Sequence, residues 1–185
     1  MIFQRFFLNF LGIFIIYIII ILASLILGDE NLSLAQIYEA FWGKDELLST
    51  IVFDLRMPRI VMAILIGMLL ASSGAITQTV FSNPIADPYI IGIASAATFG
   101  AVLAYILKVP DYYFGFFGFV CCCFFALLIF KLSRHSSIAT LLIIGIAISS
   151  FLGAFTSFFI YYIGEDSFKV MAWLMGYLGL ASWQK

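Results

Sequence analysis

Charge is scarce in this sequence of 185 residues: Lys and Arg number 9, Asp and Glu 10, and the formal net charge is −1. No basic field exists that could gather nucleic acid or anionic lipid by electrostatics, so no nucleic-acid partner is expected. Histidine occurs once. His135 stands beside Arg134 with no second histidine or cysteine at ligand spacing, and reads as a solvated turn residue. The three cysteines, Cys121 to Cys123, are consecutive within an apolar run, where successive side chains on a helix point in different directions. They suit packing, and neither a metal site nor a disulfide framework is expected. No G-x-x-x-x-G-K-[ST] loop is present, which excludes ATP hydrolysis by a P-loop in this chain. No Asp, Glu, Lys or Arg lies deep in an apolar segment, so a proton relay or voltage sensor lacks its ionisable residues. Asp87, the one carboxylate that invites a catalytic reading, has no partner and precedes a proline, which fits a helix cap. Neither a catalytic residue nor a cofactor is expected.

What the chain has in abundance is apolar length. Hydrophobic residues make up 64% of it and mean hydropathy is +1.16, which places it among integral membrane proteins. Five apolar segments can span, near 6–27, 59–80, 89–107, 112–132 and 138–163. The first is too long for a signal peptide and is followed by Gly28-Asp29-Glu30 with no small-residue cleavage site, so it is expected to remain as a span. The fold class expected is all-α, a polytopic transmembrane bundle of about five spans. Gly28 to Pro58 forms the one sizeable hydrophilic segment. Within it Ser33-Leu34-Ala35-Gln36 has the order of a helix start, and Ile37, Tyr38, Ala40 and Phe41 give a stripe suited to the membrane surface. A shorter segment near 170–180, flanked by Trp173 and Trp183, is too brief to span and reads as an interfacial helix.

The most informative stretch runs from Leu55 to Gly92. An apolar helix over 59–80 leads directly into Asn83-Pro84-Ile85-Ala86-Asp87-Pro88. Each proline biases its predecessor away from the right-handed helical region, and Asp87 before Pro88 has the order of an N-cap and first-turn proline. Small residues recur at fourfold spacing on three spans: Gly67, Ala71 and Ala75, with Gly74 beside them; Gly92, Ala96, Gly100 and Ala104; and Gly145, Ser149, Gly153 and Ser157. Such faces permit close helix contact, either for packing alone or along a transport path. Gln78, Ser72, Ser73 and Thr77, with Ser150 and Thr156, add uncharged hydrogen-bonding groups suited to a water-lined path or to contacts between helices.

The ordered string L-R-x-P-R, a small-residue helix, then N-P-x-A-x-P-x-x-x-G resembles the FecCD family, permease subunits of ABC importers (type II) for iron-siderophores, haem and cobalamin. Leu141 to Ser149 resembles the family's fifth span, and Trp173-Leu174-Met175-Gly176 with Ala181-Ser182-Trp183 the segment before its sixth. The resemblance implies a multi-pass protein of the inner membrane, not an enzyme. A separate ABC ATPase, an external substrate-binding protein and, in the full-length permease, a second copy would be its partners, with lipid around it. It also implies that the ATPase-coupling segment lies in a later half, so the chain is expected to be an N-terminal half that does not transport alone. A non-transporting fragment of an interrupted gene is the alternative.

By the same resemblance Arg56 and Arg59, at the outer face, receive carboxylates of the binding protein; an interfacial anchoring role is the other reading of these residues. Asn83, Pro84, Asp87 and Pro88 form the family's cytoplasmic turn, important for shape. Ser133 to Thr140 would lie near the cytoplasmic gate. Charge does not fix the orientation, because Lys44, Arg56, Arg59, Lys108 and Lys169 fall opposite Arg5, Lys131 and Arg134. The resemblance places the N-terminus and the Asn83 to Pro88 turn in the cytoplasm.

Overall fold

A computed structural model describes residues 2–28, 30–134, 136–179 and 181–183. His135 and Lys185 lie outside the described residues. The chain forms two compact units, Met1–Ile66 with Leu178–Lys185, and Gly67–Tyr177. All regular structure among the described residues is helical. In hydrocarbon every backbone N–H and C=O must be satisfied within its own segment, and a helix does this.

In the first unit, α1 (Ile2–Ile26) is apolar all round, and Ile13, Ile16, Ile19 and Ile20 are exposed, as suits contact with lipid. A capping box starts α2 (Leu34–Phe41): Gln36 N–H donates to Ser33 Oγ at 3.2 Å and Ser33 N–H to Gln36 Oε1 at 2.8 Å. The expected surface stripe of α2 is divided. Ala40 and Ile37 turn inward onto Leu25, Leu32 and Val52, while Tyr38 and Phe41 stay exposed, Phe41 meeting Phe53 edge-on at 5.0 Å. Asp45 caps α3 (Glu46–Ser49) by accepting from Leu47 and Leu48 N–H.

A π-helical segment, Thr50–Arg56, then runs into α4 (Met57–Phe81), giving one continuous helical stretch from Glu46 to Phe81. The hydrophilic segment from Gly28 to Pro58 thus holds the helix expected after Ser33 and further helical turns from Glu46 to Arg56. The widened π turn falls just before Pro58, which lacks an N–H and whose ring would otherwise crowd the Asp54 carbonyl.

The second unit holds the turn after α4 and the remaining helices: α5 (Ile93–Ile106), α6 (Phe114–Ser133), α7 (Ile138–Ile163) and α8 (Ser167–Leu174). Four helical stretches among the described residues are long and apolar enough to cross a membrane, not five. The third expected span is the exception. Pro88–Ile91 form a 3-10 turn, Gly92 in the left-handed conformation separates it from α5, and α5 itself has 14 residues. At about 1.5 Å per residue that is roughly 21 Å, short of a hydrocarbon core of about 30 Å. The helix expected over 170–180 lies earlier, at Ser167–Leu174, bracketed by Gly164 and Gly176, both at positive φ.

Candidate functional site

The turn that leaves α4 is built by local chemistry. Asn83 N–H donates to the Gln78 carbonyl at 3.1 Å, and Asn83 Oδ1 accepts from Ile85 N–H at 3.0 Å. Pro84 follows within this Asx turn, so its missing donor leaves nothing unpaired. Asp87 Oδ1 accepts from Tyr89 N–H at 2.7 Å with Pro88 in the first turn. The cap is the one the sequence indicates, closing a 3-10 turn rather than α5 itself. Phe81, Asn83, Ala86, Asp87, Ile138 and Leu142 line a small cavity of about 130 Å³ at this end of the second unit.

Directly after the turn, the chain comes close against α7. Gly92 has φ +91°, and a Cβ there would stand 2.8 Å from both the Gly145 carbonyl oxygen and Ser149 Oγ. Gly92 of one small-residue face and Gly145 and Ser149 of another are thus brought together. On α5, a Cβ at Gly100 would stand 2.6 Å from the Phe117 carbonyl oxygen and 2.8 Å from Cys121 Cβ, while Gly118 of α6 lies over the Ala97 carbonyl. These glycines let backbone meet backbone. Cys121 serves here as a packing partner, and no group of three or more His, Cys, Asp or Glu suited to a metal occurs among the described residues.

The other small-residue positions differ. No atom of another element among the described residues lies within 4 Å of a Cβ built on Gly67, Gly74 or Gly153. Ala71 and Gln78 on α4 are likewise exposed. Several of the hydroxyls are bound to their own helix: Ser72, Thr77 and Ser150 donate to carbonyls four residues back at 2.6, 2.9 and 2.9 Å.

In the first unit the two arginines flanking Met57-Pro58 are half-buried. Arg56 Nη1 donates to the Leu25 carbonyl and, at 3.1 Å, to that of Ile26, while Nη2 donates to the Glu30 carbonyl. Arg59 Nη2 donates to the Gly179 carbonyl at 3.2 Å, and its buried Nε has no acceptor among the described residues. Both arginines line a cavity of about 440 Å³ together with Ser24, Gly28, Ile60 and Leu178. Trp183 Nε1 closes the same unit by donating to the Phe53 carbonyl at 2.6 Å.

One ion pair, Lys169 Nζ to Asp111 Oδ2 at 2.6 Å, ties α8 to the start of α6, and Trp173 packs edge-on against Phe114 with centroids 6.1 Å apart. The hydrogen bond to Asp111 and its charge hold the Lys169 ammonium above the usual lysine range. No sequence signal marks this pair, because its members lie far apart in the chain.

With this geometry, comparison with known proteins is specific. The pattern described as the FecCD transport family matches residues 15–185. The chain is similar to a probable iron chelatin transport system permease protein of Helicobacter pylori, 31% identical over 90% of this chain and 54% of that protein. It is equally similar to a molybdate import system permease protein of Haemophilus influenzae, 31% identical over 94% of this chain and 55% of the relative. A solved structure, an inward-facing conformation of a putative metal-chelate type ABC transporter, superposes with a TM-score of 0.79 at 30% identity, covering 94% of this chain and 55% of that one. The chain spans about half the length of the curated relatives it matches.

Proposed function

Because the chain belongs to the FecCD transport family, we propose that it supplies part of the translocation path of an ATP-driven importer for a metal chelate, of the iron-siderophore, haem or cobalamin type. The membrane-spanning helices and the multi-pass inner-membrane setting go with the family. The observation that carries the reading is the continuous family match over 15–185 on a fold close to that of a metal-chelate transporter. The alternative of a non-transporting fragment draws no support from these matches.

A separate ABC ATPase drives the cycle in this reading, an external binding protein delivers the cargo, and two copies of the full-length permease enclose the path. The glycine seam of α5, α6 and α7 gives that path a rigid wall. The small-residue face of α4, with Gly67, Ala71 and Gln78 exposed and Gly74 half-buried, has room to meet a further helix or to line the path, as has Gly153 of α7. The Asn83, Pro84, Asp87, Pro88 turn fixes the angle at which α4 hands over to α5 at the cytoplasmic end. The arginine cradle of the first unit is the docking point for carboxylates of the binding protein, a reading supported by the buried Arg59 Nε, which has no acceptor among the described residues.

The test is ATP turnover by the complete permease and its ATPase in nanodiscs. Addition of chelate-loaded binding protein should raise turnover above the basal rate. Turnover indifferent to every loaded binding protein tried, with an assembled complex, would remove the importer reading.

A further inference from the structure

Helix α2 has two apolar faces, and the first unit covers only one of them. Ala40 and Ile37 pack onto Leu25, Leu32 and Val52. Leu34, Tyr38 and Phe41, joined by Trp42 at the C-cap, are each more than half exposed. At about 100° per residue these four fall within roughly 100° of arc beside the buried pair, and Ala35, Gln36 and Glu39 occupy the remaining, exposed side. The apolar surface of α2 is therefore continuous, one part against protein and one part open.

The level of α2 is set by α1. Leu25, in the last turn of α1, shares the core under Ala40, and Leu32 N–H donates to the Ile26 carbonyl at 2.9 Å. The short helix is thus fastened where the apolar span ends and Gly28-Asp29-Glu30 begins. Leu22 and Leu27, on either side of that last turn, are exposed as well, so the open face of α2 adjoins the apolar surface of α1. Its chemistry suits this boundary. Tyr and Trp, apolar bodies with a polar tip, gather at the headgroup level, and Tyr38 and Trp42 lie with ring centroids 5.9 Å apart. Gly43, at φ +63°, ends the helix, and Lys44 N–H returns to the Glu39 carbonyl at 3.0 Å. That turn carries the Lys44 ammonium to 5.8 Å from the centre of the Tyr38 ring. A lysine there can lay its stem along the aromatic face and hold its charge among lipid phosphates.

We propose that α2 is an interfacial anchor whose Leu34, Tyr38, Phe41 and Trp42 face is embedded in the bilayer surface on the side of the Gly28 to Pro58 segment. Lys44 stands at the phosphates and Glu39 in water. The partner is the lipid surface itself, and the anchor fixes the depth at which α1 ends.

The experiment uses the complete permease with its ATPase in nanodiscs of phosphatidylethanolamine and phosphatidylglycerol. In a background with every native cysteine replaced by alanine, Leu34→Cys, Trp42→Cys and Glu39→Cys each carry a nitroxide. All three side chains are exposed, so the labels disturb no packing. Collisions of each nitroxide with oxygen, which concentrates in lipid, are compared with those of a water-soluble nickel chelate. The oxygen-to-nickel ratio at positions 34 and 42 should exceed that at 39 by about tenfold, as for groups held about 5–10 Å into the boundary between headgroups and acyl chains. A ratio at 34 and 42 equal to that at 39 would put the face in water. Nitroxides at 34 and 42 shielded from both reagents would put it under protein, either the rest of the permease or a second copy. Each of these two results would overturn the anchor.

Discussion

Gly92 sits so close to Gly145 that a methyl group on it would stand 2.8 Å from the Gly145 carbonyl oxygen. The approach joins the turn after α4 to the N-terminal part of α7, and it uses a backbone conformation, φ +91°, that other residues rarely adopt.

Gly92→Ala therefore carries two penalties at once, left-handed strain and overpacking against backbone that has no side chain to move aside. A loss of about 2 kcal/mol or more is expected. Reversible unfolding in mixed micelles reads it directly. A variant as stable as the parent would mean that α7 and the turn do not meet at this distance.

The small-residue faces should respond unequally. Gly100→Ala places a methyl against the Phe117 carbonyl and Cys121 and should cost about 1–3 kcal/mol. Gly67→Ala meets open space in this chain and, because alanine favours a helix over glycine by about 1 kcal/mol, should be neutral or mildly stabilising. Equal losses at both positions would contradict the packing described for the second unit.

The capping box of α2 offers a local check. Ser33→Ala removes the acceptor for Gln36 N–H and should lower stability by about 1 kcal/mol, with Ser33→Asp close to the parent. Loss on both substitutions would indicate that the serine matters for something other than its oxygen.

The Lys169 to Asp111 pair sets a pH dependence with a definite sign. Lysine is held above its ordinary value of about 10.4, so the stabilisation is complete below that pH and is lost only as pH rises through the raised value. With Trp42 and Trp183 replaced by Phe, Trp173 fluorescence should stay constant from about pH 6 to 10 and change above it. Lys169→Met should remove that alkaline step, which separates it from tyrosine titration. A transition near neutral pH would point to another group beneath α8.

The local features of this fold are legible in the sequence because their chemistry is contained within a few residues. The Ser33 to Gln36 box and the Asp87-Pro88 cap need nothing beyond their own turn, and both are present. The apolar lengths likewise announce α1, α6 and α7. The break within the third expected span is not legible, because Gly92 reads equally as a member of a small-residue helix face or as a left-handed break, and only its contact with α7 decides. The π segment leaves a trace in Pro58, whose position within a continuous helix calls for relief. Arg56 leaves none, since its acceptors Leu25 and Ile26 lie about thirty residues earlier and are backbone atoms that no pattern of side chains reveals. Of the candidate residues, Gly92, Gly100, Gly145 and Ser149 come into tight contact, while Gly67, Gly74 and Gly153 do not.

Uptake is the measurement closest to the central claim. The complete permease, with its ATPase and binding protein, is reconstituted in proteoliposomes and offered labelled ferric siderophore, haemin, cobalamin and molybdate in turn. Accumulation of one metal chelate should exceed that in permease-free vesicles, require ATP, and stop when the ATPase carries an inactivated P-loop lysine. Accumulation of molybdate alone would contradict the chelate assignment, and absence of ATP-dependent uptake of all four by an assembled complex would contradict the importer itself.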